Sequence, residues 1–268
     1  MQPLFGPASP WLEPLAAVGA QGEAQWRAGL PVADALNRLA GACVAVPGAA
    51  PCGVRFAPQA ALEKGMPYEQ FVRATGTVPT RDNLHDFFNG LIWLHYPQTK
   101  RLLNRWQAEA IAAQGIGAVR GPLRDAITVF DENGAVLMAP AALQEALAAR
   151  AWRRLFVDLR PLWKEARLAI VGHALLEQLA APRKSLTAHV LMGPCTPADT
   201  AVLDAWLAGA LAPAQLREKP FAPLPVLGVP GWCAENENFC FYDDSSVFRS
   251  ARPAQSTQQG SLRAATAA

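Results

Sequence analysis

Arg124-Asp-Ala-Ile-Thr-Val-Phe-Asp-Glu-Asn-Gly-Ala-Val-Leu-Met138 is the stretch on which the fold class turns. Ile127 to Phe130 are β-branched or aromatic, and Ala135 to Met138 is continuously apolar. Between them, Asn133-Gly134 suits the positive φ angles of a tight type I′ turn. The stretch therefore predicts a β-hairpin near residues 124–138. Alternation along the first arm puts Asp125 on the same face as Ile127 and Val129. A carboxylate pointing inward needs a cation, a metal or several donors, so Asp125 is a candidate metal ligand. A strand-end salt bridge to a nearby arginine is the plainer explanation. Asp131–Gly134 has the composition of a calcium loop without its 12-residue ligand spacing, and reads as a turn only.

Outward from this stretch, Leu168–Val171 is an apolar run that leads into Gly172-His173 and a helical pattern from Ala174 to Ala181, a buried strand feeding a helix. Thr187–Met192 reads as a second strand, Pro197–Leu211 as an amphipathic helix, and Pro220–Trp232 as a proline-rich ordered loop. Shorter helices are expected at 141–150 and 161–166. Upstream, Asn83–Gln114 is a pair of helices bent at Tyr96-Pro97, because proline restricts the residue before it and opens the next helix. Residues 1–80, rich in Ala, Pro and Gly, read as a helical wrap with starts at Ser9-Pro10 and Met66-Pro67. The expected architecture is a mostly helical α+β domain with a small sheet, spanning residues 1–250 as one globular unit, followed by a disordered tail over 251–268. There is no internal repeat.

A chain of 268 residues that is 51% hydrophobic and 17% charged buries a large core. A net charge of +2 gives no composition-level case for nucleic acid or a membrane surface, and no partner is identified. The N-terminus lacks a basic n-region and an apolar h-region, and no apolar run reaches the length of a membrane span, so the expected location is the cytoplasm. Cys43, Cys52, Cys195, Cys233 and Cys240 are odd in number and show no CxxC spacing, which argues against a disulfide framework and for buried free thiols.

With only four histidines, each is weighed singly as a base, acid or ligand near neutral pH. At 100° per residue, Leu84, Phe87, Phe88, Leu91 and Leu94 form one apolar face, and His95 falls on it as a packed core histidine. His85, Asp86 and Asn89 fall opposite, in an arc that Trp93 also enters. An aromatic there implies a covered polar face, suited to orienting a substrate or an attacking water, or else to a capping and packing network. His173 opens a helix after a strand, where the dipole favours neutral imidazole, the form that binds metals or accepts protons, and Glu177 lies one turn further on the same face. His189 points away from the apolar row Ala188, Val190 and Met192. The candidate catalytic set is thus His85, Asp86, Asn89, His173 and His189. Phe239-Cys-Phe-Tyr242 runs into Asp243-Asp244, which makes Asp243 a second candidate ligand for a hard cation, against a simple turn.

Nucleotide-binding glycine loops, a GxSxG elbow and an HExxH helix are all missing from the sequence. Two readings remain in front. One is a hydrolase or nuclease-like enzyme in which His85 or His173 activates water, Asn89 positions it, and a carboxylate holds a divalent metal ion as candidate cofactor. The other is a non-catalytic binding or scaffold protein whose polar cluster is structural. A third, nucleic-acid binding through Lys100, Arg101 and Arg105, competes with a solvated helix side.

The stretches Asn83-Leu-His-Asp-Phe-Phe-Asn89, Tyr96-Pro-Gln-Thr-Lys-Arg-Leu-Leu-Asn104, Arg124–Gly134, Gly172-His-Ala-Leu-Leu-Glu177, Leu186-Thr-Ala-His189, Pro223–Gly231 and Phe241-Tyr-Asp-Asp244 resemble the domain of unknown function 3025 family of uncharacterised bacterial proteins. The resemblance covers about residues 70–250. It implies membership and one folded unit, and carries over no activity, cofactor or catalytic residue.

Overall fold

Arg124–Phe130 lies inside a helix in the computed structural model of the chain, which describes residues 3–44, 53–115 and 121–251. The helices are, in chain order, α1 Ala16–Arg27, α2 Val32–Val44, α3 Tyr68–Thr75, α4 Leu84–His95 and α5 Pro97–Gln114, then α6 Pro122–Asn133, α7 Ala141–Ala148, α8 His173–Gln178, α9 Thr200–Ala210 and α10 Pro213–Arg217. The strands are β1 Arg55–Pro58, β2 Thr77–Thr80, β3 Gly134–Met138, β4 Arg167–Ile170, β5 Thr187–Met192 and β6 Ala222–Pro225. The fold is mostly helical α+β, as the sequence predicts.

The hairpin is the main correction. Pro122 sits in the first turn of α6, where its missing N–H has no intrahelical role, and Leu123, Ala126, Ile127 and Phe130 are buried at the i, i+3, i+4, i+7 spacing of one helical face. The β-preference of Thr128 and Val129 yields to that packing. Asn133-Gly134 does mark a break in the chain, but from helix to strand. A Cβ on Gly134 would sit 2.3 Å from the Phe130 carbonyl oxygen, so the chain turns there without a side chain.

β3 is buried along its whole length and lies at the centre of a four-stranded sheet of order β4-β3-β5-β6. It pairs antiparallel with β4 (Ala135 opposite Ile170) and parallel with β5 (Ala135 opposite Val190), while β5 pairs antiparallel with β6. Being covered on both faces explains its unbroken apolar sequence. Three strands are additions to the sequence reading. β6 occupies part of the expected proline-rich loop, and β1 pairs in parallel with β2 within the expected helical wrap. The bent pair α4–α5, the strands β4 and β5 and the helix α9 lie where expected. The tail expected from residue 251 lies outside the described residues beyond its first position, as do Cys52 and the side chain of Cys43. Cys195 and Cys240 are exposed and Cys233 is half-buried, contrary to the expectation of buried thiols.

The turn from β4 into α8 sets up the site. Val171 and Gly172 both donate backbone N–H groups to the Gly134 carbonyl, at 3.0 and 2.8 Å. A Cβ on Gly172 would fall 2.5 Å from the Gly134 nitrogen and 2.6 Å from the Asn133 Cα, so only glycine permits this approach. Through it, the first residue of α8 is pressed against the last turn of α6. No helix among the described residues is long and apolar enough to cross a membrane.

Candidate functional site

Asn83 caps α4 by accepting the Asp86 N–H on its side-chain oxygen at 2.8 Å. With that start fixed, Phe87, Phe88, Leu91 and Ile92 go into the core. His85 and Asn89, one turn apart, face a cleft of about 330 Å³ between α3, α4, α5, α6 and α8. Trp93, 2% exposed, also lines it, as expected for an aromatic covering this face.

His85 and His173 meet there, coming from helices 88 residues apart in sequence, with their Nε2 atoms 3.2 Å apart and their rings edge to face. Glu177 Oε2 lies 2.8 Å from His85 Nδ1. Glu132 Oε2 lies 3.6 Å from His173 Nε2, and Asp131 Oδ2 lies 3.8 Å from His173 Nδ1. Among the described residues, His85, Glu132 and His173 are the one group whose ligand atoms converge closely enough to hold a metal ion, all within 4.8 Å of one another.

One proton position follows from these partners. A carboxylate only accepts, so His85 Nδ1 carries a proton toward Glu177. The Nδ1 of His173 is buried and makes no close hydrogen bond; Asp131 faces it at 3.8 Å, as Glu132 faces Nε2 at 3.6 Å. Burial pushes the His173 pKa down to about 4; Asp131 opposes the shift, and Lys100 and His85 add to it. His173 is accordingly neutral at pH 7.

Asp131 is held by Lys100, whose ammonium donates to Asp131 Oδ1 at 2.5 Å and to Asn89 Oδ1 at 2.9 Å, and stands 5.5 Å from the Trp93 ring centroid. Burial by itself would raise the Asp131 carboxyl, but Lys100, with help from His173 and His85, outweighs it and holds Asp131 below the usual carboxylate range. Asn89 donates in turn to the Tyr68 hydroxyl at 3.2 Å, and burial pushes that phenol up. Asp86 is taken up by Arg81, which donates from its backbone N–H at 2.6 Å and from its guanidinium at 2.9 and 3.2 Å.

Of the histidines and polar residues proposed from sequence, His85 and His173 come together, while Asp86 and Asn89 stand beside them with their hydrogen bonds committed elsewhere. His189 is half-buried on β5 and contacts Phe221 edge-on, away from the pair. His95 hydrogen-bonds through Nδ1 to the Leu91 carbonyl at 2.8 Å. Asp125 points outward from α6 and pairs with Lys219 at 2.5 Å, so its carboxylate is neither inward nor near the cluster. Asp243 is exposed at the end of a 3-10 turn and is not part of the cluster. Lys100, read as a nucleic-acid contact, is buried inside the Asp131 and Asn89 network instead. Asp131 and Glu132 were hidden by the hairpin reading, since a turn would have placed both in solvent.

Residues 54–252 match the family described as Protein of unknown function (DUF3025). No curated protein and no solved structure matches the chain.

Proposed function

The chain belongs to the DUF3025 family, and we propose that it is a cytoplasmic hydrolase that activates water where His85 Nε2 and His173 Nε2 converge. The observation that carries the reading is the chain of groups Glu177–His85–His173, with contacts of 2.8 and 3.2 Å, opening on the polar cleft. Glu177 holds the Nδ1 proton of His85 and stabilises positive charge on that ring, while the two Nε2 atoms face the site of reaction. The cleft suits a small polar ester or phosphoester. Asn89 is occupied by Lys100 and Tyr68, so its part is to hold Lys100 rather than to position water.

A purified sample assayed against a panel of carboxylic esters and phosphoesters tests this. Turnover should fall about 10²- to 10⁴-fold in His85→Ala and persist in His189→Ala. Turnover that survives in His85→Ala, or a panel without any turnover, would overturn the reading.

The second reading, a structural polar cluster, is favoured by one observation. The Arg81–Asp86 and Lys100–Asn89–Tyr68 bonds tie α4 to its neighbours without leaving a reactive atom free. We assign Asp86 and Asn89 to that structural role and restrict catalysis to the histidine pair.

A further inference from the structure

His85 Nε2 and His173 Nε2 are aimed at each other at 3.2 Å. Glu177 backs His85 from the Nδ1 side and Asp131 lies behind His173 Nδ1, while Glu132 brings a carboxylate oxygen to the place where the two Nε2 atoms meet. Two imidazole nitrogens and a carboxylate oxygen that converge within 4.8 Å of one another make a donor set for a cation.

We propose that His85, His173 and Glu132 form a binding site for one divalent first-row transition metal ion, held by the two Nε2 atoms and a Glu132 oxygen, with Glu177 and Asp131 orienting the imidazoles from behind. This deepens the hydrolase reading and rests on the same site. In a tetrahedral shell with bonds of roughly 2.0 to 2.1 Å, neighbouring ligand atoms stand about 3.3 to 3.4 Å apart. The Nε2–Nε2 separation of 3.2 Å and the Nε2–Oε2 separation of 3.6 Å already approximate two such edges. Glu132 has a side chain 35% exposed and closes the third edge by a rotation about its own bonds.

Glu177 on His85 Nδ1 gives the carboxylate–histidine pairing that fixes metal-binding imidazoles. Two imidazoles and one carboxylate select zinc, cobalt, iron or nickel over magnesium and calcium, which take oxygen. All three ligands line the cleft, so the open coordination position faces it, as in a site that binds water or substrate. Such an ion supplies Lewis acidity toward a bound water.

The test is titration of the chelator-treated, folded chain with ZnCl2 and with CoCl2, monitored by calorimetry and by the visible spectrum of the cobalt form. One ion per chain is expected, with cobalt bands typical of nitrogen and oxygen ligands and no displacement by millimolar MgCl2. His173→Ala should weaken binding at least about 100-fold, and Glu177→Gln about 10- to 100-fold. Should His173→Ala unfold by circular dichroism, Glu132→Gln, on a half-exposed side chain, takes its place with an expected loss of at least about tenfold. His189→Ala should bind as the parent does. Binding that survives His173→Ala or Glu132→Gln, or no binding in the parent, overturns the metal site. A metal bound at one per chain without turnover on any ester overturns the hydrolase reading alone, whereas turnover undiminished by chelator, with no metal bound, overturns the metal site alone.

Discussion

Replacing Lys100 by methionine keeps the length and packing of the side chain and removes its charge. The Lys100 side chain is 6% exposed and makes two charge-assisted hydrogen bonds, to Asp131 at 2.5 Å and Asn89 at 2.9 Å. Breaking a buried ion pair from one side costs about 3 to 5 kcal/mol, because the remaining charge is left uncompensated. Asp131 keeps a side-chain exposure of 26%, so water relieves part of that cost, and Lys100→Met should lose about 2 to 3 kcal/mol. Equilibrium urea unfolding with chelator present measures it. The companion change Asp131→Asn removes the carboxylate, so Lys100→Met in the Asp131→Asn background should lose clearly less, with a coupling of at least about 1 kcal/mol. A loss below about 0.5 kcal/mol in Lys100→Met, or full additivity of the two changes, would refute the reasoning that Lys100 holds Asp131 in place.

Gly172→Ala should destabilise the chain by about 1 to 3 kcal/mol or more, since the new methyl meets backbone atoms at 2.5 and 2.6 Å; a thermal melt equal to the parent's would contradict this. Asp125→Ala should change stability by less than about 1 kcal/mol in the same melt, because its pair with Lys219 is solvent-exposed on both sides. Burial lowers the His95 pKa, against the pull of the Leu91 carbonyl, so the unfolded chain takes up a proton before the folded one does. That contribution to stability is fully present above the unfolded value of about 6.5 and is lost as pH falls through the lower folded value. Unfolding curves collected from pH 7 downward should show a smaller decline in His95→Gln than in the parent, and equal declines would contradict the shift.

The amphipathic halves of α4 and α5, the proline between them and the apolar strands β4 and β5 were all legible from residue order, because periodicity and proline chemistry act over a few residues. So was the scarcity that made His85 and His173 worth weighing. Glu177, expected beside His173, instead pairs with His85 across 92 residues. The segment 124–134 departs from its local pattern for a reason of the same kind. Its β-branched run and its Asn-Gly satisfy a hairpin locally, and only the apolar partners met by Leu123, Ile127 and Phe130 decide for a helix.

That one decision governs the site. As a helix, 122–133 delivers Asp131 and Glu132 on its last turn to the place where Gly172 brings in His173, and it gives buried Lys100 a partner. The contact of His85 with His173 spans 88 residues, and that of Lys100 with Asp131 spans 31. No local period encodes such separations. Residue order was enough for α4, α5, α9, β4 and β5 and for singling out His85 and His173, since propensity and amphipathicity are properties of neighbours along the chain. Which of those side chains share a cleft, and which carboxylate faces which imidazole, was decided by tertiary packing, because those energies arise only between groups that folding brings together.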